Sequence, residues 1–189
     1  WKLAVNNENF RKSIVHAFNR MPALATSDRI DPESLKNNTI TPNAFASASK
    51  DYTYYEGLAA YTDGDNFDKA LAEEYKAAAI DELTAAGATF PIKMLMCYNP
   101  TSANWAQECQ VVEQQIETVL GADYVDIIIQ AGPETGFLGA IRRTGNYAFM
   151  KCNWGADYAD PETWTDPFST DSSYSFIFKS TDPETQALY

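Results

Sequence analysis

Strand-like and helix-like patterns alternate through the second half of this chain, and that order constrains the fold more than any other feature. Alternating apolar residues predict a strand over 90–98, a β-branched run predicts a second over 124–130, and 146–154 returns to strand character. Helical patterns cover 67–86 and 102–120, and 133–143 predicts a shorter helix. This order predicts an α/β fold with a mainly parallel sheet flanked by helices.

The first third of the chain is less regular. An amphipathic helix is predicted to begin near Phe10 and to end at Pro22, and Trp1 lies in what reads as a strand. Residues 23–64 form a mostly irregular excursion with one helical turn near 31–33, and Asp65 or Asn66 is predicted to cap the helix that follows. A long irregular stretch in a compact domain usually carries binding surface or covers another domain.

Both ends of the chain look cut. It begins on Trp1 with no initiator Met and no signal pattern, and Asp182-Pro183-Glu184-Thr185 opens a helix just before Tyr189. We therefore expect residues 1–189 to be a single α/β lobe of a longer protein. The chain has no run of about 18 apolar residues that could span a bilayer.

Charge and cysteine content exclude several classes of function. The formal net charge of -12 would repel nucleic-acid phosphates and anionic lipid, so nucleic acid is not an expected partner. The three cysteines, Cys97, Cys109 and Cys152, form no C-x-x-C pair, and His16 is the one histidine. We expect no zinc site and no cofactor, at least one free thiol, and a surface position for His16.

The loop after Trp154 is the predicted binding site, because ligands gather at the carboxyl ends of parallel strands. A carboxylate at Asp157, with Trp154 and Tyr158 beside it, suits a cation held in a cleft that excludes water. Gly155 would let another backbone approach closely. The alternatives are structural: Asp157 making a turn with Asp160, Gly155 as an ordinary strand end, and Trp154 as core.

This loop also carries a family resemblance. Cys152-Asn153-Trp154-Gly155-Ala156-Asp157-Tyr158-Ala159-Asp160-Pro161-Glu162-Thr163-Trp164 resembles the signature loop of the bacterial family 5 extracellular solute-binding proteins, the oligopeptide and dipeptide receptors of ABC importers. Residues 9–20 look like the family's helix of the form F-R-x-A-I-x-x-A-x-D-R, with Ser13 in place of Ala and Asn19 in place of Asp. Leu-x-x-Ala-Gly at 83–87 also follows the family's order.

The resemblance implies a fold, a location and partners. The fold would be one lobe of a periplasmic-binding-protein-like receptor (type II, cluster C), whose second lobe and hinges are absent. The protein would be a monomer on the extracellular face of the membrane or in the periplasm, lipid-anchored in its full-length form. It would capture peptides between its lobes without catalysis and deliver them to ABC permease subunits.

The resemblance also implies residue roles. Asp157 would form the salt bridge to the peptide's α-ammonium group, and the backbone at Asn153 and Gly155 would pair with the peptide main chain. Arg142 or Arg143 would hold a ligand carboxylate, although an arginine at a solvated helix end is the competing interpretation.

Two other functions stay open at this point. The same fold could bind an oligosaccharide, which the 13% aromatic content would suit, or a nickel complex, which the single histidine disfavours. Asp157, Asp160 and Glu162 could serve a glycoside hydrolase, but Asp160 is better used as a helix cap. The Asp-Pro-Glu-Thr sequence at 160–163 and 182–185 is adequately explained as a helix start.

Overall fold

The architecture is taken from a computed structural model that describes residues 1–42, 45, 47–49, 52, 53, 64–169 and 172. In chain order the elements are α1 (Lys2–Asn6), α2 (Glu8–Ala17), α3 (Arg20–Leu24), a 3-10 turn (Pro32–Leu35), β1 (Ser47–Ser49), β2 (Tyr52–Thr53), α4 (Lys69–Ala85), β3 (Ile92–Tyr98), α5 (Trp105–Leu120), β4 (Val125–Ala131), a π-helical turn (Leu138–Arg142), β5 (Phe149–Met150), α6 (Glu162–Thr165) and a 3-10 turn (Asp166–Phe168).

The main sheet is parallel, as the order of elements predicts. Its strands lie in the order β4-β3-β5, with Ile92 opposite Val125 at one end and Tyr98 opposite Ala131 at the other. Strand β5 pairs only briefly with β3, through Met96 opposite Phe149 and its neighbour. All three strands therefore end at the same edge of the sheet.

The core lies between this sheet and the helices α2, α4 and α5. Alternate residues of β3 and β4 enter it, among them Met94 and Ile127, and both side chains are buried. They meet Phe10 from α2, Leu83 from α4 and Ile116 from α5. The predicted helical stripes and strand alternation are confirmed here, because the apolar faces of the helices pack against the apolar face of the sheet.

Helix ends follow the local chemistry closely. Gly87 and Gly121 end α4 and α5 with φ of +84° and +86°, a region that favours glycine. The cap of α4 is Asp68, whose Oδ1 accepts from the backbone N–H groups of Ala70 and Leu71 at 2.9 and 3.0 Å. The prediction that Asp65 or Asn66 caps this helix was therefore wrong. The Asp65 carboxylate instead forms an ion pair with Lys36 at 3.0 Å.

The amino-terminal predictions need two corrections. Trp1 is not in a strand: its carbonyl accepts from the Val5 N–H at 2.9 Å and opens α1. The long helix ends at Ala17 rather than at Pro22, because Asn19 caps a new helix by accepting from the Met21 N–H. Pro22 lies in the first turn of that helix, where a missing N–H costs no hydrogen bond.

Three further predictions are refined. The helical turn near 31–33 is the 3-10 turn, with Asp31 accepting from the Ser34 N–H. The helix predicted over 133–143 is reduced to the π-helical turn, and the strand predicted over 146–154 is reduced to β5. The second Asp-Pro-Glu-Thr lies outside the described residues. No helix in the described part of the chain is long and apolar enough to cross a membrane.

Candidate functional site

The loops that follow the three strands enclose a cavity of about 250 Å³. Asn99 follows β3, Glu134 and Phe137 follow β4, and Cys152 and Asn153 follow β5, and all of them line it. We call this the strand-end cleft. Its position agrees with the general rule for open parallel sheets, in which ligands bind beyond the carboxyl ends of the strands.

A second cavity of about 380 Å³ lies next to the strand-end cleft, and we call it the Trp154 cavity. The two share Arg142, Cys152 and Asn153 as walls. The rest of the Trp154 cavity is largely apolar and consists of Tyr147, Met150, Trp154, Pro167 and Phe168. Its volume falls at the lower end of the roughly 300–1,000 Å³ typical of small-ligand pockets.

Thr163 holds the predicted binding loop in place. Its backbone carbonyl accepts from the Trp154 Nε1–H at 2.7 Å, and its Oγ1 accepts from the Asp157 N–H at 3.0 Å. Thr163 is itself buried, with 1% of its surface exposed. Two bonds to one buried residue therefore keep Asp157 close to Trp154.

Hydrogen bonds at the amino end of α6 hold Thr163 in place in turn. Asp160 Oδ1 accepts from the Glu162 N–H at 2.9 Å, and the Thr163 N–H bonds the Asp160 carbonyl at 3.1 Å. The interpretation of Asp-Pro-Glu-Thr at 160–163 as a helix start is thereby confirmed. Asp160 is engaged as a cap, which weakens the idea of a carboxylate pair with Asp157.

The predicted site residues fall into two groups. Arg142, Asn153 and Trp154 come together around the cavities. Gly155, Asp157 and Tyr158 are exposed on the following loop and lie outside both cavities, with Tyr158 49% exposed. A Cβ placed on Gly155 would meet no atom within 4 Å, so the space above it is open to an approaching chain.

Arg142 is more enclosed than an arginine at a solvated helix end. Its guanidinium carbon lies 5.8 Å from the centroid of the Trp154 ring, and its Nε and Nη2 atoms are buried. Its backbone carbonyl accepts from the Tyr147 hydroxyl at 3.3 Å. A cation over an indole face stabilises the ring's position, while neighbouring Arg143 is exposed.

The remaining titratable groups of the Trp154 cavity are neutral at physiological pH. Burial raises the pKa of the Cys152 thiol, with Arg142 opposing that shift, and burial also raises the pKa of the Tyr147 hydroxyl. Cys97 and Cys109 are buried, and none of the three cysteines is in a disulfide. Among the described residues, no group of three or more His, Cys, Asp and Glu could hold a metal ion.

Sequence reasoning missed Thr163, Tyr147, Met150 and Phe168 as parts of the site. The sequence indicates Thr163 only as part of a helix start. Nothing in its spacing predicts that its carbonyl accepts a hydrogen bond from Trp154. His16 was expected at the surface, but it is half-buried, stacked on Tyr75 with its Nδ1 2.6 Å from the Asn66 carbonyl oxygen.

Residues 2–176 match the family described as "Bacterial extracellular solute-binding proteins, family 5 Middle". This chain belongs to that family. It is 30% identical to the oligopeptide-binding protein AliB of Streptococcus pneumoniae over 89% of this chain and 29% of that protein. It is also 30% identical to the oligopeptide-binding protein AmiA of the same species, over 91% of this chain and 29% of AmiA.

Solved structures place the fold in the same class. Listeria monocytogenes OppA bound to peptide superimposes with a TM-score of 0.68 at 18% identity, over 96% of this chain and 33% of that one. A peptide-binding protein of a peptide ABC transporter gives 0.69 at 20% identity, over 98% and 83%. The expected periplasmic-binding-protein-like fold is confirmed. The chain spans less than a third of the length of the curated relatives it matches.

Proposed function

We propose that residues 1–189 form one lobe of an oligopeptide receptor that serves an ABC importer. The observation that carries this proposal is the placement of Asp157, an exposed carboxylate tethered beside Trp154 at the edge where all three strands end. The oligopeptide-binding proteins at 30% identity support peptide as the ligand class.

In this proposal, Asp157 binds the α-ammonium group of the peptide. Its side chain is exposed in this lobe, and closure of a second lobe over it would remove water and strengthen the ion pair. The backbone at Asn153 and Gly155 would pair with the peptide main chain as an added strand, which gives affinity without reading side chains. Tyr158 would lie beside the bound amino end.

For Arg142 we propose a role other than the expected one of binding a ligand carboxylate. Since its guanidinium lies against the Trp154 ring and two of its nitrogens are buried, we assign it to positioning Trp154. A carboxylate on the ligand would then be bound by the exposed Arg143 or by groups outside this lobe.

The remaining parts of the proposal concern the whole protein. It would work as a monomer by binding and hinge closure, without catalysis, and present the closed form to permease subunits. It would act on the extracellular face of the membrane or in the periplasm and be lipid-anchored. The net charge of -12 supports the absence of nucleic-acid binding.

Denaturing mass spectrometry of ligands that co-purify with the full-length receptor tests the proposal. Short peptides are expected with the wild type and are depleted in Asp157→Asn, while Glu162→Gln, a change at another exposed carboxylate nearby, retains them. Calorimetry should show peptide affinity falling roughly 10- to 100-fold for Asp157→Asn, the range of a charged hydrogen bond. A sugar or a metal complex in place of peptide would overturn the assigned ligand.

A further inference from the structure

Strand β4 lies at one side of the main sheet, and the described residues place no strand on its far side. We call that side, which faces away from β3, the lateral edge. The Tyr124 carbonyl and the Gly132 N–H bond β3, and the register between them is unshifted, so the even-numbered residues of β4 face β3. The N–H groups of Val125, Ile127 and Ile129 therefore point outward at the lateral edge.

Helix α5 occupies the first two of these outward donors. The Val125 N–H bonds the carbonyl of Gly121, the residue that ends α5, at 3.2 Å. The Ile127 N–H donates to the Glu117 Oε1 at 2.7 Å. The next outward donor, the Ile129 N–H, makes no hydrogen bond within the described part of the chain. A helix side chain thus takes the place that a neighbouring strand would have at Ile127.

The sequence that Glu117 covers is well suited to pairing with another chain. Residues 127–129 are three consecutive isoleucines, and Ile128 is 42% exposed. Runs of β-branched residues without proline favour strand association, and natural proteins block open strand edges against it. We propose that Glu117 protects the lateral edge: by accepting from the Ile127 N–H, it prevents β4 from pairing with β4 of a second copy of the protein.

Symmetry shows why the Ile127 N–H is the decisive group. Two copies of β4 can pair antiparallel about a two-fold axis at Ile128, so that Ile127 of each copy lies opposite Ile129 of the other. Each such pair exchanges two backbone hydrogen bonds, and one of the two needs an Ile127 N–H. Because Glu117 occupies that N–H in both copies, it removes half of the bonds that the pairing could form.

Negative charge near the lateral edge is a rival explanation. Asp126 lies on β4, and Glu113 lies one helical turn before Glu117. Burial raises the pKa of the Glu113 carboxyl, and the neighbouring Glu117 and Asp126 carboxylates raise it further. Like charges on two copies would repel each other. Glu117→Gln separates the two explanations, because the amide oxygen still accepts a hydrogen bond while the charge is removed.

Sedimentation equilibrium on the full-length receptor tests the proposal. Glu117→Ala frees one N–H in each copy, and a backbone hydrogen bond changes an equilibrium by about fivefold, so the dimer association constant is expected to rise by roughly 25-fold. Glu117→Gln is expected to stay within about twofold of the wild type. Asp68→Ala removes the cap of α4 and leaves β4 unchanged, so it controls for lost stability and should associate no more than the wild type.

Hydrogen exchange measured by mass spectrometry locates the contact. At low concentration, residues 125–131 of Glu117→Ala are expected to exchange faster than those of the wild type, because the Ile127 N–H has lost its acceptor. As the concentration rises, bonds to a second copy should protect the same segment. In the wild type, exchange of this segment should not depend on concentration.

Three results would overturn the proposal. Glu117→Ala could remain as monomeric as the wild type, Glu117→Gln could associate as strongly as Glu117→Ala, or association could leave residues 125–131 unprotected. Strong association of Asp68→Ala would also contradict it, since a general loss of stability would then explain the effect. None of these measurements involves peptide binding, so the proposal stands or fails independently of the proposed function.

Discussion

At the scale of single residues, the proposed site depends on Thr163 as much as on the side chains that would touch a ligand. Its backbone and its hydroxyl hold two different parts of the loop, the Trp154 ring and the Asp157 N–H. A site built from an exposed loop needs such support, because a loosely held carboxylate loses entropy on binding. Thr163 is thus a positioning residue whose effect can be measured apart from Asp157.

Thr163→Val keeps the shape of the side chain and removes the acceptor for the Asp157 N–H. We expect the free energy of unfolding to fall by about 1 kcal/mol and peptide affinity to weaken several-fold. Thr163→Ser retains the hydroxyl and should recover most of both losses. Denaturant titration and calorimetry on the full-length receptor check this, and a serine variant as weak as the valine variant would show that the hydroxyl is not what matters.

Ser13 and Tyr124 form a second residue-scale unit, deep in the core. Ser13 donates to the Phe10 carbonyl at 2.7 Å, so the Tyr124 hydroxyl is the donor in their 3.2 Å contact. Ser13→Ala leaves that buried hydroxyl without its acceptor and should cost about 1–3 kcal/mol. In the Tyr124→Phe background the same change should cost much less, as a double-mutant cycle by denaturation would show. Equal costs in both backgrounds would contradict the pairing.

The same pair predicts a pH dependence. Burial raises the pKa of Tyr124 to about 12. Because the folded-state pKa is above the unfolded value of about 10, the stability from neutral Tyr124 is complete below pH ~10 and is lost as pH rises toward about 12. The unfolding free energy of Tyr124→Phe should therefore fall less steeply across that window than that of the wild type.

At the scale of elements, the sequence correctly predicted the strands and helices whose apolar pattern matches the face that they bury in the core. The alternation over 90–98 and the stripe over 102–120 became β3 and α5 because their apolar faces meet in one core. The strand predicted over 146–154 became the short β5, since only Phe149 and Met150 pair with β3. Residues 152–154 instead lie beyond the sheet and line the Trp154 cavity.

The cap of α4 could not be placed from sequence because three polar residues precede the helix closely. Asp65, Asn66 and Asp68 all have capping side chains, and tertiary contacts decide among them. Asp65 binds Lys36, and Asp68 is the residue whose side chain accepts from the first N–H groups of the helix. Similarly, Trp1 precedes α1 and packs edge-on against Phe10, a contact that no local pattern shows.

Asp68→Ala should therefore destabilise α4, while removing the neighbouring side chain should not. We expect the free energy of unfolding to fall by about 1 kcal/mol, the usual value of an N-cap. Asn66→Ala, at an exposed position two residues earlier, should stay within about 0.5 kcal/mol of the wild type. Denaturant titrations with unchanged m values would establish this. A larger effect at Asn66 would reassign the cap.

At the scale of the whole molecule, the cavities, the tethered loop and the exposed Asp157 all lie at one edge of the lobe. This is the edge where parallel strands end, and the proposed second lobe would close over it. The sequence located that edge and the loop, yet it could not locate the Trp154 cavity, which depends on Tyr147 and Phe168 folding back to the same place. The chain covers less than a third of its curated relatives, so a large part of a two-lobed site would be outside it.

A two-lobed site predicts that this chain alone binds peptide poorly. Contacts from a second lobe worth even about 3 kcal/mol would account for a loss of roughly 100-fold in affinity, because each 1.4 kcal/mol is a factor of about ten. Calorimetry with one peptide, comparing the 189-residue chain with the full-length receptor, measures the difference. Circular dichroism and a cooperative unfolding transition establish first that the isolated chain is folded. The two outcomes have different meanings. If the folded chain binds as tightly as the full receptor, the peptide is held by this lobe alone and closure contributes nothing to affinity. If binding is weak but still reduced further by Asp157→Asn, this lobe provides the anchor for the amino end and the second lobe provides the rest.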